Sequence, residues 1–171
     1  MSWDLAATQV QGDAPDRDRA RREFLTCRVG GETYGIDILK VQEIREVDAV
    51  TRVPHVAPFV RGVINLRGAI VPIVDLGLML GFAEPIAVAD ASAIVLNVDR
   101  RLVGLVVASV SDVIALADDE IVPAPELAGR AVGAAIEGIG TRAEAKAGAA
   151  GDHVLLLDVD HLMRRVREER E

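Results

Sequence analysis

The run from Phe59 to Leu76, FVRGVINLRGAIVPIVDL, narrows the folds open to this chain more than any other segment. It reads as two apolar strands joined by a tight turn. Strand side chains alternate between faces, so Val60, Ile64 and Leu66 share one face, and Arg61, Val63, Asn65 and Arg67 the other. Arg67-Gly68-Ala69 suits a hairpin connection, because glycine accepts the positive φ that such turns require. The return strand, Ala69 to Leu76, is apolar on both faces and is expected to be buried. Pro72 has no N–H to give a ladder, which predicts a sheet edge or a bulge there. Asn65 and Arg67 thus become polar groups held rigidly against an apolar body. That arrangement suits recognition better than catalysis.

The same grammar recurs along the chain. Arg22–Val29 and Glu32–Ile36 flank Gly30-Gly31 as a second hairpin, and Ser92–Val98 and Leu102–Ala108 flank Asp99-Arg100-Arg101 as a third. Val110–Leu116 and His153–Val159 read as further strands, Ala134–Thr141 as a weaker one. Ile38–Glu43 is a short helical candidate with Asp37 as its cap, and Leu76–Leu80 another. Val159, Leu162, Met163 and Val166 follow the spacing of an amphipathic helix, expected to be the longest in the chain. Many short strands and few helices predict an all-β barrel architecture.

Composition limits the functions open to this fold. A chain of 171 residues can bury a real core, and with 50% hydrophobic but only 3% aromatic residues that core must be aliphatic. A net charge of −8 argues against nucleic-acid binding, which needs clustered Lys and Arg. The single Cys27 excludes an intramolecular disulfide and a cysteine-based zinc site, in keeping with a cytoplasmic protein. Val103–Val110, the longest apolar run, is far shorter than the ~20 residues of a spanning helix, so no membrane insertion is expected. Residues 1–22 are rich in Asp, Arg and Ala and read as a disordered tail. Residues 143–152 read as a mobile Ala- and Gly-rich loop.

Catalytic patterns are missing. His55, His153 and His161 are far apart and lack metal-ligand spacing, so neither a metal nor a cofactor is expected. Asp37, Asp75, Asp112 and Asp158 each end an apolar run, where capping and turn hydrogen bonds account for them. Cys27 lies in an alternating apolar strand and reads as a structural thiol. No nucleophile elbow or phosphate loop occurs. A chain given over to core and turns reads as an adaptor rather than an enzyme. Its rival is a small enzyme with a site assembled from the dispersed Asp and His residues.

Six pieces in register make the chain resemble the CheW-type chemotaxis coupling proteins: Tyr34–Ile44, Thr51-Arg-Val-Pro54, Phe59–Leu76, Ile94-Val-Leu-Asn97, Val103–Val113 and Val122-Pro-Ala-Pro125, with a span from Phe24 to Val166. The resemblance implies two stacked, five-stranded SH3-like β-barrels sharing a hydrophobic core, closed by a C-terminal helix. On it, residues 23–84 are expected to form the first barrel and 85–152 the second. Residues 153–171 supply a strand and helix that can return to the first. It further implies a scaffold for signal transduction that couples the signalling tips of methyl-accepting chemoreceptors to the regulatory domain of the CheA histidine kinase, within receptor arrays at the membrane. Glu43 and Arg67 are carried over as an ion pair near the receptor-facing surface, with Asn65 beside them. Val41, Gly62, Gly104, Val110 and Val113 are carried over to the groove that takes the receptor's helical tip. The kinase surface is expected on the exposed edge of the first barrel, near Phe24–Ile38 and Val50–Val53, without named contacts. Ala108 stands where family members often carry an acid. A coupler-like scaffold for another kinase pathway, in surface motility or gene regulation, is the alternative.

Overall fold

A computed structural model describes residues 20–47, 49–123, 135–141 and 153–170. The expected tail and the 143–152 loop fall outside these residues, except that Arg21 and Arg22 already belong to the first strand. Strands β1 (Arg21–Val29) and β2 (Glu32–Asp37) form a hairpin through Gly30 and Gly31, both at positive φ. A 3₁₀ turn, Ile38–Lys40, follows, capped by the Asp37 carboxylate at 3.0 Å from the Leu39 N–H. Strands β3 (Val41–Glu46), β4 (Val60–Leu66) and β5 (Ala69–Asp75) precede the single turn α1 (Leu76–Met79). Strands β6 (Ser92–Val98), β7 (Arg101–Val107) and β8 (Ser109–Ala117) come next. A 3₁₀ turn joins β8 to β9 (Ile121–Pro123), and β10 (Ile136–Thr141), β11 (His153–Leu157) and helix α2 (Val159–Arg170) complete the order.

Two sheets result, in the orders β8-β1-β2-β11-β10-β9 and β3-β6-β7-β5-β4. The fold is the expected all-β double barrel with a C-terminal helix, the first sheet carrying the three-residue β9 as a sixth strand. Its partition differs from a cut at residues 84 and 85. The chain leaves the first sheet after β2, builds all of the second, and re-enters at Ala108, whose N–H donates to the Arg28 carbonyl at 3.0 Å. The cause is strand pairing: β1 needs β8 on its outer side, and β2 pairs in parallel with β11. Both halves show the same apolar alternation, so periodicity could not reveal which strands pair.

Apolar side chains separate into layers. Phe24, Leu116, Val154 and Leu156 fill the interior of the first barrel, and Leu66, Val71 and Val95 part of the second. A larger cluster lies between the sheets, drawing on Cys27, Ile36, Leu76, Ile94, Leu96 and Leu105. Helix α2 covers it with Val159, Leu162, Met163 and Val166. Arg165 pins the helix: its Nη1 donates to the Met79 carbonyl at 2.7 Å and its guanidinium lies over the Phe59 ring.

Pro72 lies in an internal strand, because β5 is paired on both sides. Its ladder with β7 starts only at Ile73, so beside Pro72 the β7 side of the strand is open. The proline sits where no donor is needed.

Candidate functional site

The β4–β5 hairpin turns through Arg67 and Gly68, at φ 51° and 89°. Two consecutive positive φ values match the right-handed twist of the flanking strands. The Asn65 Oδ1 accepts from the Gly68 N–H at 2.9 Å and braces the turn. Asn65 therefore holds Arg67 in position rather than standing free beside it.

Arg67 donates through Nη2 to Glu43 Oε2. Glu43 belongs to β3 and the turn to β4, the opposite edges of the five-stranded sheet. Their pairing therefore bridges the seam where that sheet curls shut. Backbone closes the same seam: Thr51, beyond β3, exchanges hydrogen bonds of 2.9 and 2.8 Å with Val63 of β4. The Glu43 carboxylate also has Arg45 Nη1 at 3.7 Å, so it lies between two guanidiniums. The Arg67 side chain is 67% exposed and Glu43 26%. A pair this wet contributes about 0–1 kcal/mol, while the planar guanidinium keeps outward donors for a second carboxylate.

The other carried-over residues divide by exposure. Val113 is 48% exposed on β8, whereas Val41 and Val110 are half-buried and pack on the shared core. Gly62 and Gly104 are buried within the second sheet and present no surface of their own. Gly62 has φ 145°, and a Cβ there would come within 2.2 Å of the Thr51 carbonyl oxygen. It is glycine because the closing strand passes over it. At Gly104 a Cβ would meet Ile73 Cδ1 at 2.6 Å, so β5 and β7 approach closely there. Both act by permitting shape.

The expected kinase edge is also redistributed. Phe24–Ile38 supplies β1 and β2, which are internal strands, and among the described residues the outermost strands of that sheet are β8 and β9. Val50–Val53 belongs with the other barrel, where Val50, Arg52 and Val53 line a cavity of 920 Å³ beside β4. A hairpin at the start of a chain looks like an edge until its distant partners are known.

Sequence reasoning missed two features. Arg61 Nη1 donates to Asp75 Oδ2 at 2.7 Å, and Asp75 is fully buried. That carboxylate also accepts from the Leu78 N–H at 2.9 Å and the Ile86 N–H at 2.8 Å, tying β4, α1 and the following loop together. No local pattern pairs Arg61 with Asp75. Ile44 is 47% exposed beside Glu43; its place on one face with Gln42 and Glu46 was a readable signal.

The capping and buried titratable groups serve structure. Asp158 caps α2 through the His161 N–H at 3.0 Å, and Asp112 accepts from the buried Thr26 hydroxyl at 2.6 Å. Cys27 is fully buried, and burial pushes its thiol up to about 12. Burial, followed by the charges of Glu32 and Cys27, pushes Tyr34 up to about 12 as well. Among the described residues no group of three His, Cys, Asp or Glu could hold a metal ion, and no helix is long and apolar enough to cross a membrane.

Comparison with known proteins places this geometry. The model of the CheW-like domain matches residues 23–167. The chemotaxis protein CheW of Klebsiella aerogenes is 45% identical over 145 residues, covering 83% of this chain and 81% of its own. The CheW of Bacillus subtilis is 37% identical over 105 residues, with 61% and 67% covered. Among solved structures, the scaffolding protein TtCheW of Thermoanaerobacter tengcongensis superposes with a TM-score of 0.71 at 26% identity, over 81% of this chain and 90% of that one.

Proposed function

The chain belongs to the CheW-like domain family, and from that premise we propose how it works as a chemotaxis coupling adaptor. Receptor signalling tips dock at the seam of the second barrel, and the regulatory domain of the CheA kinase engages a separate surface. The chain itself makes and breaks no bonds. It acts in the cytoplasm, and its partners hold it at the membrane array.

The observation that carries this reading is the Glu43–Arg67 pair. Two side chains from opposite sheet edges meet at an exposed seam, on a turn braced by Asn65. Such a pair adds little to stability, so its placement is better explained by an external ligand. The exposed Ile44 and Val113 supply apolar contact of the kind a helical tip needs. Val41 and Val110 support that surface from below. Gly62 and Gly104 contribute through backbone approach rather than contact.

Two readings compete with this one. A coupler for another kinase pathway would share every feature described. An enzyme would need convergent acids, whereas Asp37, Asp75, Asp112 and Asp158 each hold a backbone N–H or a buried hydroxyl. The test is co-sedimentation with a receptor signalling fragment and CheA, with kinase activity measured in the pellet. The proposal predicts that receptor-bound kinase activity requires this chain. Equal activity without it would contradict the proposal.

A further inference from the structure

A basic cleft of this acidic chain opens at Ala69 and Ile70, just past the Arg67-Gly68 turn, and is lined by neither Glu43 nor Arg67. Beyond Ile73, β5 and β7 are laddered; before it, from Ala69 to Pro72, no such ladder forms. A cavity of 330 Å³ fills the gap, and a second of 290 Å³ continues from it under α2, the two sharing Arg101, Met163 and Arg167. The apolar floor includes Ile70, Leu102 and Val166. Ile70 is 63% exposed, one of the most exposed large apolar side chains among the described residues.

The rim is cationic. The Asp99-Arg100 turn, with φ of 52° and 68°, presents Arg100 and Arg101 from one side. Arg164 and Arg167 project from α2 on the other. None of these four exposed guanidiniums has an ion-pair or hydrogen-bond partner among the described residues. Lys40 adds a fifth positive charge, loosely paired with Asp160 at 3.8 Å. Among the described residues, Asp99 and Asp160 are the only acids lining the two cavities. A chain of net charge −8 would neutralise such a cluster internally if stability were its purpose.

We propose that this cleft docks an acidic amphipathic segment of a partner protein, its apolar side chains on Ile70, Leu102 and Val166 and its carboxylates on the arginines. Charge complementarity selects the occupant: planar guanidiniums favour carboxylates in pairs, and the apolar floor disfavours a small inorganic anion. The concave shape disfavours a flat lipid surface. This inference stands on side chains outside the receptor seam and does not depend on the coupling reading.

The test uses the full chain with methyl-labelled Ile, Leu and Val, titrated with a designed amphipathic peptide of Leu and Glu. The peptide should shift the methyls of Ile70, Leu102, Val103 and Val166 saturably. Replacing its Glu residues by Gln should weaken binding about tenfold, as should the double change Arg101→Glu and Arg167→Glu at unchanged melting temperature. Raising salt from about 0.05 to about 0.5 M should weaken it similarly. If the reversal variant unfolds, Arg101→Gln with Arg167→Gln takes its place. No shifts, shifts elsewhere, or equal binding of the Gln peptide would overturn the proposal. So would pelleting with phosphatidylglycerol vesicles while the peptide leaves these methyls unmoved. Methyl shifts that follow chain concentration alone would assign the cleft to a second copy instead.

Discussion

Replacing Asp75 by Ala removes the one fully buried acid among the described residues and is expected to be the most damaging single polar change among them. The carboxylate accepts from Arg61 at 2.7 Å, the Leu78 N–H at 2.9 Å and the Ile86 N–H at 2.8 Å, and Arg61 also donates to the Ile86 carbonyl at 3.2 Å. In Asp75→Ala the Arg61 side chain, 21% exposed, keeps its charge without a counter-ion. Breaking a buried pair from one side costs about 3–5 kcal/mol, and the orphaned N–H groups add to the upper end. About 4 kcal/mol lowers the melting temperature of a chain this size by roughly 8–16 °C. Urea denaturation followed by circular dichroism reads the change directly, and the variant Arg61→Leu/Asp75→Leu completes the comparison. Removing both charges should recover part of the loss, because no uncompensated ion remains. A loss below about 1 kcal/mol for Asp75→Ala would refute the reasoning and place the pair in effective contact with water.

Gly62→Ala should lose at least about 2 kcal/mol, because its Cβ displaces Thr51 and both hydrogen bonds to Val63; a melting curve matching the parent would return Gly62 to the contact surface. Asn65→Ala should cost about 1 kcal/mol and weaken receptor-fragment binding by freeing the Arg67 turn; unchanged binding would contradict the bracing role. Alkaline stability should fall between pH 9 and about 12. The folded state holds the Cys27 and Tyr34 protons more tightly than the unfolded chain, so their contribution is intact below the unfolded values and disappears as pH rises through the folded ones. Each proton gives a slope of up to about 1.4 kcal/mol per pH unit. A denaturation midpoint flat across that window would count against the burial of both groups.

What the sequence made legible follows its local signals. Each of the three hairpins formed where a turn was expected, because turn residues and apolar alternation act within a few residues; glycine marks two of the turns, while the third takes positive φ at Asp99 and Arg100 without one. Helix α2 followed from its apolar spacing and its Asp158 cap. Long-range pairing was not legible. β1 meets β8 and β2 meets β11 across most of the chain, so the barrels are assembled from discontinuous segments. The candidate site divides in the same way. Arg67 and Glu43 could be named from the resemblance, but that they bridge opposite sheet edges appears only once the barrel closes. Gly62 looks like any groove residue in sequence, and its buried approach to Thr51 exists only in three dimensions.

The central claim is that the Glu43–Arg67 seam recognises a partner rather than stabilising the barrel. Arg67→Ala measured twice, by melting curve and by affinity for a receptor signalling fragment, tests it most directly. The account predicts a stability loss under about 1 kcal/mol, a few degrees at most, because the pair is exposed. It predicts an affinity loss of about 2 kcal/mol or more, roughly thirtyfold, because a guanidinium desolvated at an interface centre is costly to remove. Unchanged affinity in a folded variant would contradict the claim, and so would a stability loss as large as the binding loss.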